Sequence, residues 1–223
     1  MVWQRLGVYW ALIKSLQTGL LLMTAVAGYV SGCCLNTRAG SLAMLMGTLF
    51  LAVSGSTVLN MAFDRDIDAK MCRTARRPLP AGRLQPSEAL VLGLLLTAIG
   101  LSWAVAVDPL YAAVVAGGVF LDVVVYTIWL KRRTHFSILI GGLSGGMPAL
   151  AGRVLATGAI DEVGLLLAIG VLLWIPTHIM TFSIKYQADY TRAGVPTFPS
   201  VYGVQVTRIV VAISTFLAVI VLF

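Results

Sequence analysis

Asn60, Asp64 and Asp68 stand four residues apart in an otherwise apolar chain, inside the segment N-M-A-F-D-R-D-I-D-A-K-M-C-R-T-A-R-R-P-L-P-A-G-R at 60–83. If that stretch is helical, three oxygen-bearing side chains project from one face. Carboxylates one turn apart repel by a few tenths of a kcal/mol when exposed and by more when desolvated, and a bound cation removes that penalty. Magnesium takes one or two carboxylates and completes its octahedron with water and substrate phosphate oxygens, so the stripe suits Mg²⁺ as cofactor. The same segment carries six of the sixteen basic residues, Lys70 and Arg77 among them, next to three of the nine acids. Acids in helical register beside guanidinium forks are what holding a metal and an anionic headgroup together requires, which points to chemistry on a phosphorylated lipid. A solvated helix end, with Asp64, Arg65 and Asp66 paired to neighbours, accounts for the same spacing.

Two further polar blocks are candidates to meet this one. Lys185, Tyr186, Asp189 and Tyr190 lie four apolar stretches later. An even number of crossings returns the chain to the same face, so the two acidic loops can converge. Lys131, Arg132 and Arg133, followed by Thr134 and His135, close another apolar stretch on that face. Alone they read as a topology anchor; with the acidic loops they form a clamp for a diphosphate.

The elements that must position these groups are membrane helices. The 223 residues are 59% hydrophobic and 11% charged, with mean hydropathy +0.92, far from the roughly 25% charge of soluble domains. A helix needs about 20 mainly apolar residues to cross the hydrocarbon. Seven stretches qualify, near 11–32, 41–63, 87–107, 109–130, 137–156, 163–184 and 202–223. The expected fold is therefore an all-α polytopic membrane bundle forming one domain over 1–223. The first stretch contains Lys14 and Gln17 and leads to no small-residue cleavage site, so it reads as a retained span. The last ends at Phe223 without a polar flank, which suggests that a C-terminal portion lies beyond it.

Fourteen Lys and Arg residues fall on one side of this topology, against Arg38 and Arg153 on the other. The positive-inside rule then puts the N terminus and the loops after spans two, four and six in the cytoplasm. The net charge of +7 is thus concentrated where lipid headgroups or a soluble anion meet it. With no soluble domain to dock a duplex, nucleic acid is the weaker partner. No obligate protein partner is implied, since one chain can enclose the whole cavity. Adjacent Cys33 and Cys34, across the membrane from Cys72, imply no disulfide and read as packing thiols.

Asp122 is the acid well inside a span, and such carboxyls are functional candidates by default; Tyr126, one turn on, is its expected partner. A buried structural pair and an acceptor-site or proton-handling role stand level. His178, beside Pro176, reads either as a core histidine or as a group facing an acceptor. Gly141, Gly142, Gly145 and Gly146 form overlapping G-x-x-x-G pairs that suit close helix packing.

With these residues in view, the chain resembles the intramembrane prenyltransferases of the UbiA superfamily, and within it the protoheme farnesyltransferase (haem O synthase) branch. Residues 60–83 are similar to that branch's form of the N-D-x-x-D-x-x-x-D motif, with Met61 where other branches carry Asp. Y-T-I-W-L-K-R-R-T at 126–134 with I-G-G-L-S-G-G-M-P at 140–148 resembles its second block, and W-I-P-T-H-I-M-T-F-S-I-K-Y-Q-A-D-Y-T-R-A-G-V-P at 174–196 its third. The resemblance implies nine helices around a central cavity, of which seven are visible. It implies Mg²⁺ held by Asn60, Asp64 and Asp68, with Asp189 holding a second metal from the opposite loop. Catalysis would fall to these four residues and Lys131. The resemblance places Lys14, Lys70, Arg77, Arg132, Lys185 and Tyr190 with Asp122, Tyr126 and His178 around the substrates: a prenyl diphosphate and a hydrophobic acceptor, haem b for this branch. Lys185 stands where the superfamily commonly has the upstream Asp of a second pair. The branch's early T-K-P-R survives only as Ile13-Lys14-Ser15-Leu16, and Arg153 and Thr177 replace an expected Trp and Pro. A quinone precursor or a glycerol-phosphate lipid is the alternative acceptor. Cation or proton transport through Asp122 and the Asp64/Asp68 stripe is the alternative from another class.

Overall fold

A computed structural model describes residues 2–33 and 38–222; Cys34, expected as a packing thiol, lies outside them, and Cys33 is half-buried and unpaired. Among the described residues seven helices are long and apolar enough to cross a membrane, and they match the seven expected stretches closely. They are α2 (Ser15–Cys33), α3 (Ala39–Phe63), α5 (Pro86–Val107), α6 (Pro109–Val119) continued by a π-helical segment (Phe120–Leu130), α7 (Ser137–Thr157), α8 (Glu162–Lys185) and α10 (Phe198–Leu222). Three shorter helices lie at their ends: α1 (Val2–Leu12), α4 (Arg65–Lys70) and α9 (Gln187–Ala193). The first span begins later than the expected 11–32, because the chain breaks at Ile13 and Lys14 before α2 starts.

Local chemistry sets the ends. Pro86 and Pro109 occupy first-turn positions of α5 and α6, where a missing N–H costs nothing. The Asp108 carboxylate accepts from the Tyr111 N–H (2.7 Å) and Asp161 from the Gly164 N–H (2.9 Å), each capping the helix it precedes. Gly158 ends α7 and Gly194 ends α9 with φ of 72° and 70°, the left-handed turn that glycine adopts without strain.

α3 packs on α5, α2 on α7, and α8 between α7 and α10. The α2–α7 seam is close because Gly28 faces the Ala149 backbone while Gly152 faces the Ala25 carbonyl, where any Cβ would clash. The expected role of the α7 glycines holds: a Cβ on Gly146 would sit 2.6 Å from the Ala168 carbonyl oxygen of α8. Leu22, Ala25, Tyr29, Leu45, Leu49, Ala52, Tyr111 and Val154 form the main apolar core. Leu94, Leu95, Ile99, Ile213 and Phe216 stay exposed on the spans, as lipid-facing residues do.

A second cluster, Leu12, Ile13, Val58, Met61, Leu79, Leu84 and Ala89, fastens the loop after α4 to the ends of α1, α3 and α5. A third, Ile67, Met71, Ala193 and Val195, joins α4 to the α9 loop. The two acidic loops therefore do meet, as the even count of crossings requires.

Candidate active site

One cavity of about 150 Å³ gathers side chains from four chain segments at the same end of the bundle: Lys14, Asn60, Asp64 and Asp68, Tyr126 and Lys131, and Tyr190. Arg73 and Arg77 complete its charged lining. The acidic stripe survives a kink. α3 ends at Phe63, Asp64 has φ −91° and ψ 3°, and α4 follows at once. The i to i−4 pattern continues through the break, with Asp64 N–H to Asn60 O at 2.9 Å and Asp68 N–H to Asp64 O at 2.8 Å. Asn60, Asp64 and Asp68 thus keep one face.

Each member of the stripe has a different partner. The Lys131 ammonium contacts Asp64 Oδ2, and Arg77 Nη1 donates to Asp68 Oδ2 at 2.7 Å. Asn60 Nδ2 donates to Asp122 Oδ2 (2.7 Å) and Asn60 Oδ1 accepts from Thr127 Oγ1 (2.8 Å). Ser56 donates to the same Asp122 oxygen. The cavity end of the bundle is thus pinned to the bilayer interior by a chain of hydrogen bonds through α3 and the π-helical segment.

Winding explains why Asp122 does not pair with Tyr126, as the sequence suggested. The segment is π-helical, with Lys131 N–H to Tyr126 O at 2.8 Å, so residues five apart align. Thr127 consequently sits over Asp122 and donates to its backbone carbonyl (2.9 Å). Tyr126 turns to the cavity, its ring centroid 5.6 Å from Lys131 Nζ. Gly141 of α7 makes room for that ring: a Cβ there would lie 2.7 Å from Tyr126 Cδ2.

The electrostatics follow from burial. Lys14 adopts φ 43°, a left-handed backbone that costs a side-chain-bearing residue about 1–2 kcal/mol. Burial, then repulsion from Arg77 and Lys131, lowers its pKa to about 8. Burial works against the charge of Lys131 too, but the Tyr126 oxygen and the Asp64 carboxylate outweigh it and hold Lys131 above the usual lysine range. Burial pushes the Asp64 carboxyl above its ordinary range, and the Lys131 ammonium beside it offsets part of that rise.

The donor set fits a hard divalent cation. Asp64 and Asp68 line one cavity, and Asp64 Oδ1 is buried with no hydrogen-bond partner, an oxygen whose desolvation a metal would offset. Asn60 Oδ1 retains one free lone pair beyond its bond from Thr127. Among the described residues no cluster of three or more acids, histidines or cysteines stands ready-made for a metal, so the remaining ligands must be substrate or water oxygens.

Several sequence expectations do not reach this cavity. Asp189 is not among the residues lining the cavity: its Oδ1 accepts from the Cys72 N–H (3.3 Å) and pairs with Arg192 (3.5 Å), so it fastens α9 to the loop after α4. Arg132 forms a two-pronged contact with Asp66, both distances 2.7 Å, and donates to the Phe63 carbonyl at 2.8 Å. That fork latches the α3–α4 kink instead of facing an anion. Lys70 is exposed at the end of α4, and Lys185 lies over the Tyr186 ring at 5.4 Å. His178 is exposed on α8 and stacked on Trp174, centroids 5.0 Å apart. Tyr190 does line the cavity.

Ser56, Thr127 and Arg73 were missed. Ser56 had a legible signal, since it extends the 60–64–68 stripe back by one turn. Thr127 had none, because five-residue spacing is invisible to a 3.6 period. Arg73 is one of six cations in the 60–83 segment, and nothing in its spacing singles it out.

Residues 20–223 match the UbiA prenyltransferase family. The chain belongs to that family. It is accordingly an integral, multi-pass membrane prenyltransferase. Among curated UbiA-family relatives, the protoheme IX farnesyltransferase of Korarchaeum cryptofilum (strain OPF8) is 42% identical over 209 residues, covering 94% of this chain and 70% of the relative. That of Pyrobaculum neutrophilum is 45% identical over 194 residues, covering 86% of this chain and 69% of its own. A solved structure, a UbiA homolog from Archaeoglobus fulgidus bound to DMAPP and Mg²⁺, superposes with TM-score 0.82 at 15% identity, covering 96% of this chain and 75% of that one.

Proposed function

We propose that this prenyltransferase joins the farnesyl group of farnesyl diphosphate to a vinyl group of haem b, giving haem O. The observation that carries the donor half is the pairing of Asp64 and Asp68 with Lys131 and Arg77 inside one cavity. The acceptor half rests on relatives named protoheme IX farnesyltransferase at 42% and 45% identity. The excess of positive charge on the loops around the cavity supports a cytoplasmic orientation for this end.

Asp64 and Asp68, with Asn60 behind them, would hold Mg²⁺. Bound there, Mg²⁺ supplies charge neutralisation to the departing diphosphate oxygens. Carboxylates facing a metal and cations facing a diphosphate would keep every charge compensated, so Asp64 and Asp68 would hold the metal while Lys131 and Arg77 would hold the diphosphate. Lys14, Arg77 and Lys131 bind the diphosphate and stabilise it as the C1–O bond of the donor breaks, the electron pair leaving with the oxygen. Arg73 adds a fourth cation at the same wall. The Tyr126 ring, braced by Gly141, shields the allylic cation from water. A π pair of the vinyl group closes the new C–C bond to C1; water adds to the other vinyl carbon and loses a proton to solvent. At about 150 Å³ the cavity is smaller than the roughly 300–1,000 Å³ of usual ligand pockets. It fits the diphosphate end, and the prenyl chain extends past Ile138 and Ile179 of its apolar wall.

Magnesium-dependent pyrophosphate release from farnesyl diphosphate, measured in liposomes with and without haem b, tests this. Haem should stimulate release, and Asp64→Ala should reduce it by at least about 100-fold. Haem-independent release would move the acceptor to a quinone precursor or a glycerol-phosphate lipid. No release with any acceptor would overturn the donor assignment.

A further inference from the structure

We infer that a second, basic crevice beside the catalytic cavity binds the carboxylates of an amphiphilic acceptor, and so decides which edge of that acceptor faces the prenyl cation. The crevice has a volume of about 680 Å³, and among the described residues half of its lining is cationic: Lys14, Arg73, Arg76, Arg77 and Arg83. No acid lines it. Lys14, Met61, Arg73 and Arg77 are shared with the catalytic cavity, so the two are neighbours through a single wall. Arg76 and Arg83 are exposed, and among the described residues neither has a carboxylate within ion-pair distance. They are cations without a structural occupation, unlike Arg132 and Arg153.

The remaining lining is apolar and small, with Gly7, Val8 and Ala11 of α1 opposite Met61 and Pro78. Inorganic phosphate has no use for such a wall. A flat apolar molecule with carboxylates at one edge uses both parts. With the diphosphate occupying the cations of the catalytic cavity, its negative charge repels those carboxylates from that cavity, and the crevice attracts them. The charge pattern therefore points the anionic edge outward and the opposite, uncharged edge toward C1 of the donor. Haem b has this layout, its two propionates lying across the ring from its vinyl groups. The inference thus rests on the haem reading for its ligand and adds the residues that orient it.

Equilibrium binding of haem b and of its dimethyl ester to the full chain in neutral detergent, read by the Soret band, tests the crevice apart from turnover. Haem b should bind roughly tenfold more tightly than the ester, as expected for two carboxylate–arginine contacts at a partly exposed site. The Arg76→Gln/Arg83→Gln pair should erase that preference, and Arg76→Lys/Arg83→Lys should restore most of it. The KM for haem b should rise in the Gln pair while that for farnesyl diphosphate stays put. Equal binding of haem and ester by the wild type overturns the crevice, even if both are farnesylated and the haem reading stands. A preference erased in the Gln pair without any farnesylation leaves the crevice standing and sinks the haem reading. If instead the Gln pair retains the preference and only slows pyrophosphate release, or only weakens binding to anionic-lipid vesicles, the crevice serves the product or the headgroups and the inference fails.

Discussion

Removing the Asp122 carboxyl should cost the protein stability and loosen its hold on metal together. Asp122 Oδ2 is the common acceptor for Ser56 and for Asn60, the latter at 2.7 Å, within the bilayer-spanning part of the bundle. In Asp122→Ala two part-buried donors lose their acceptor. Measured interhelical hydrogen bonds in membranes are worth about 0.6 kcal/mol, up to about 1.7, and each buried donor left unsatisfied adds about 1–3 kcal/mol. Overlap between these terms gives about 2–4 kcal/mol for the variant. Ser56→Ala should cost about 1 kcal/mol alone and less when Asp122 is already absent, a coupling of about 0.5–1 kcal/mol. Asp122→Asn keeps an acceptor oxygen and should recover most of the loss. Denaturant unfolding in mixed micelles gives the stabilities, and Mn²⁺ binding followed by electron paramagnetic resonance gives the metal affinity. A freed Asn60 amide should weaken Mn²⁺ several-fold in Asp122→Ala and barely in Asp122→Asn. Additive stabilities for Ser56→Ala and Asp122→Ala, or an Asp122→Ala variant within about 0.5 kcal/mol of wild type, would refute the network as a positioning device.

Three further outcomes are expected. The kcat/KM for farnesyl diphosphate should fall as pH rises through about 8, where the free enzyme's Lys14 loses its proton, and Lys14→Arg should flatten that limb. The sign for stability is opposite: the unfolded chain holds the Lys14 proton to about 10.5, so unfolding free energy should rise with pH between these values, which chemical denaturation across that window would detect. Gly141→Ala presses a methyl group onto Tyr126 (2.7 Å to Cδ2) and should reduce kcat more than the KM for the diphosphate, with water-derived farnesol appearing as a by-product by chromatography. Arg153→Ala removes contacts to Asp161 (2.6 Å) and to Ser31 at the far end of the bundle; it should lower the denaturant midpoint in mixed micelles and leave the KM for farnesyl diphosphate unchanged.

Much of this protein was already written in its sequence. Hydropathy determined the seven crossings, because a bilayer admits few alternatives to apolar helices of this length. The four-residue spacing of Asn60, Asp64 and Asp68 determined a shared face, and the parity of crossings put the polar loops at one end. Tertiary structure decided which of the many cations meet the acids. Arg77 reaches Asp68 because Leu79 and Leu84 anchor its loop, and Lys131 reaches Asp64 because π winding carries it round. Arg132, one residue on, is turned to Asp66. Asp189 looked like a partner to the first acids in the sequence, but Arg192 and the Cys72 amide hold it elsewhere. Helical and membrane periodicities are local and can be read along the chain. The pairing of Asp64 with Lys131 and of Asp66 with Arg132, 67 and 66 residues apart, depends on kinks, winding and packing, which no single segment encodes.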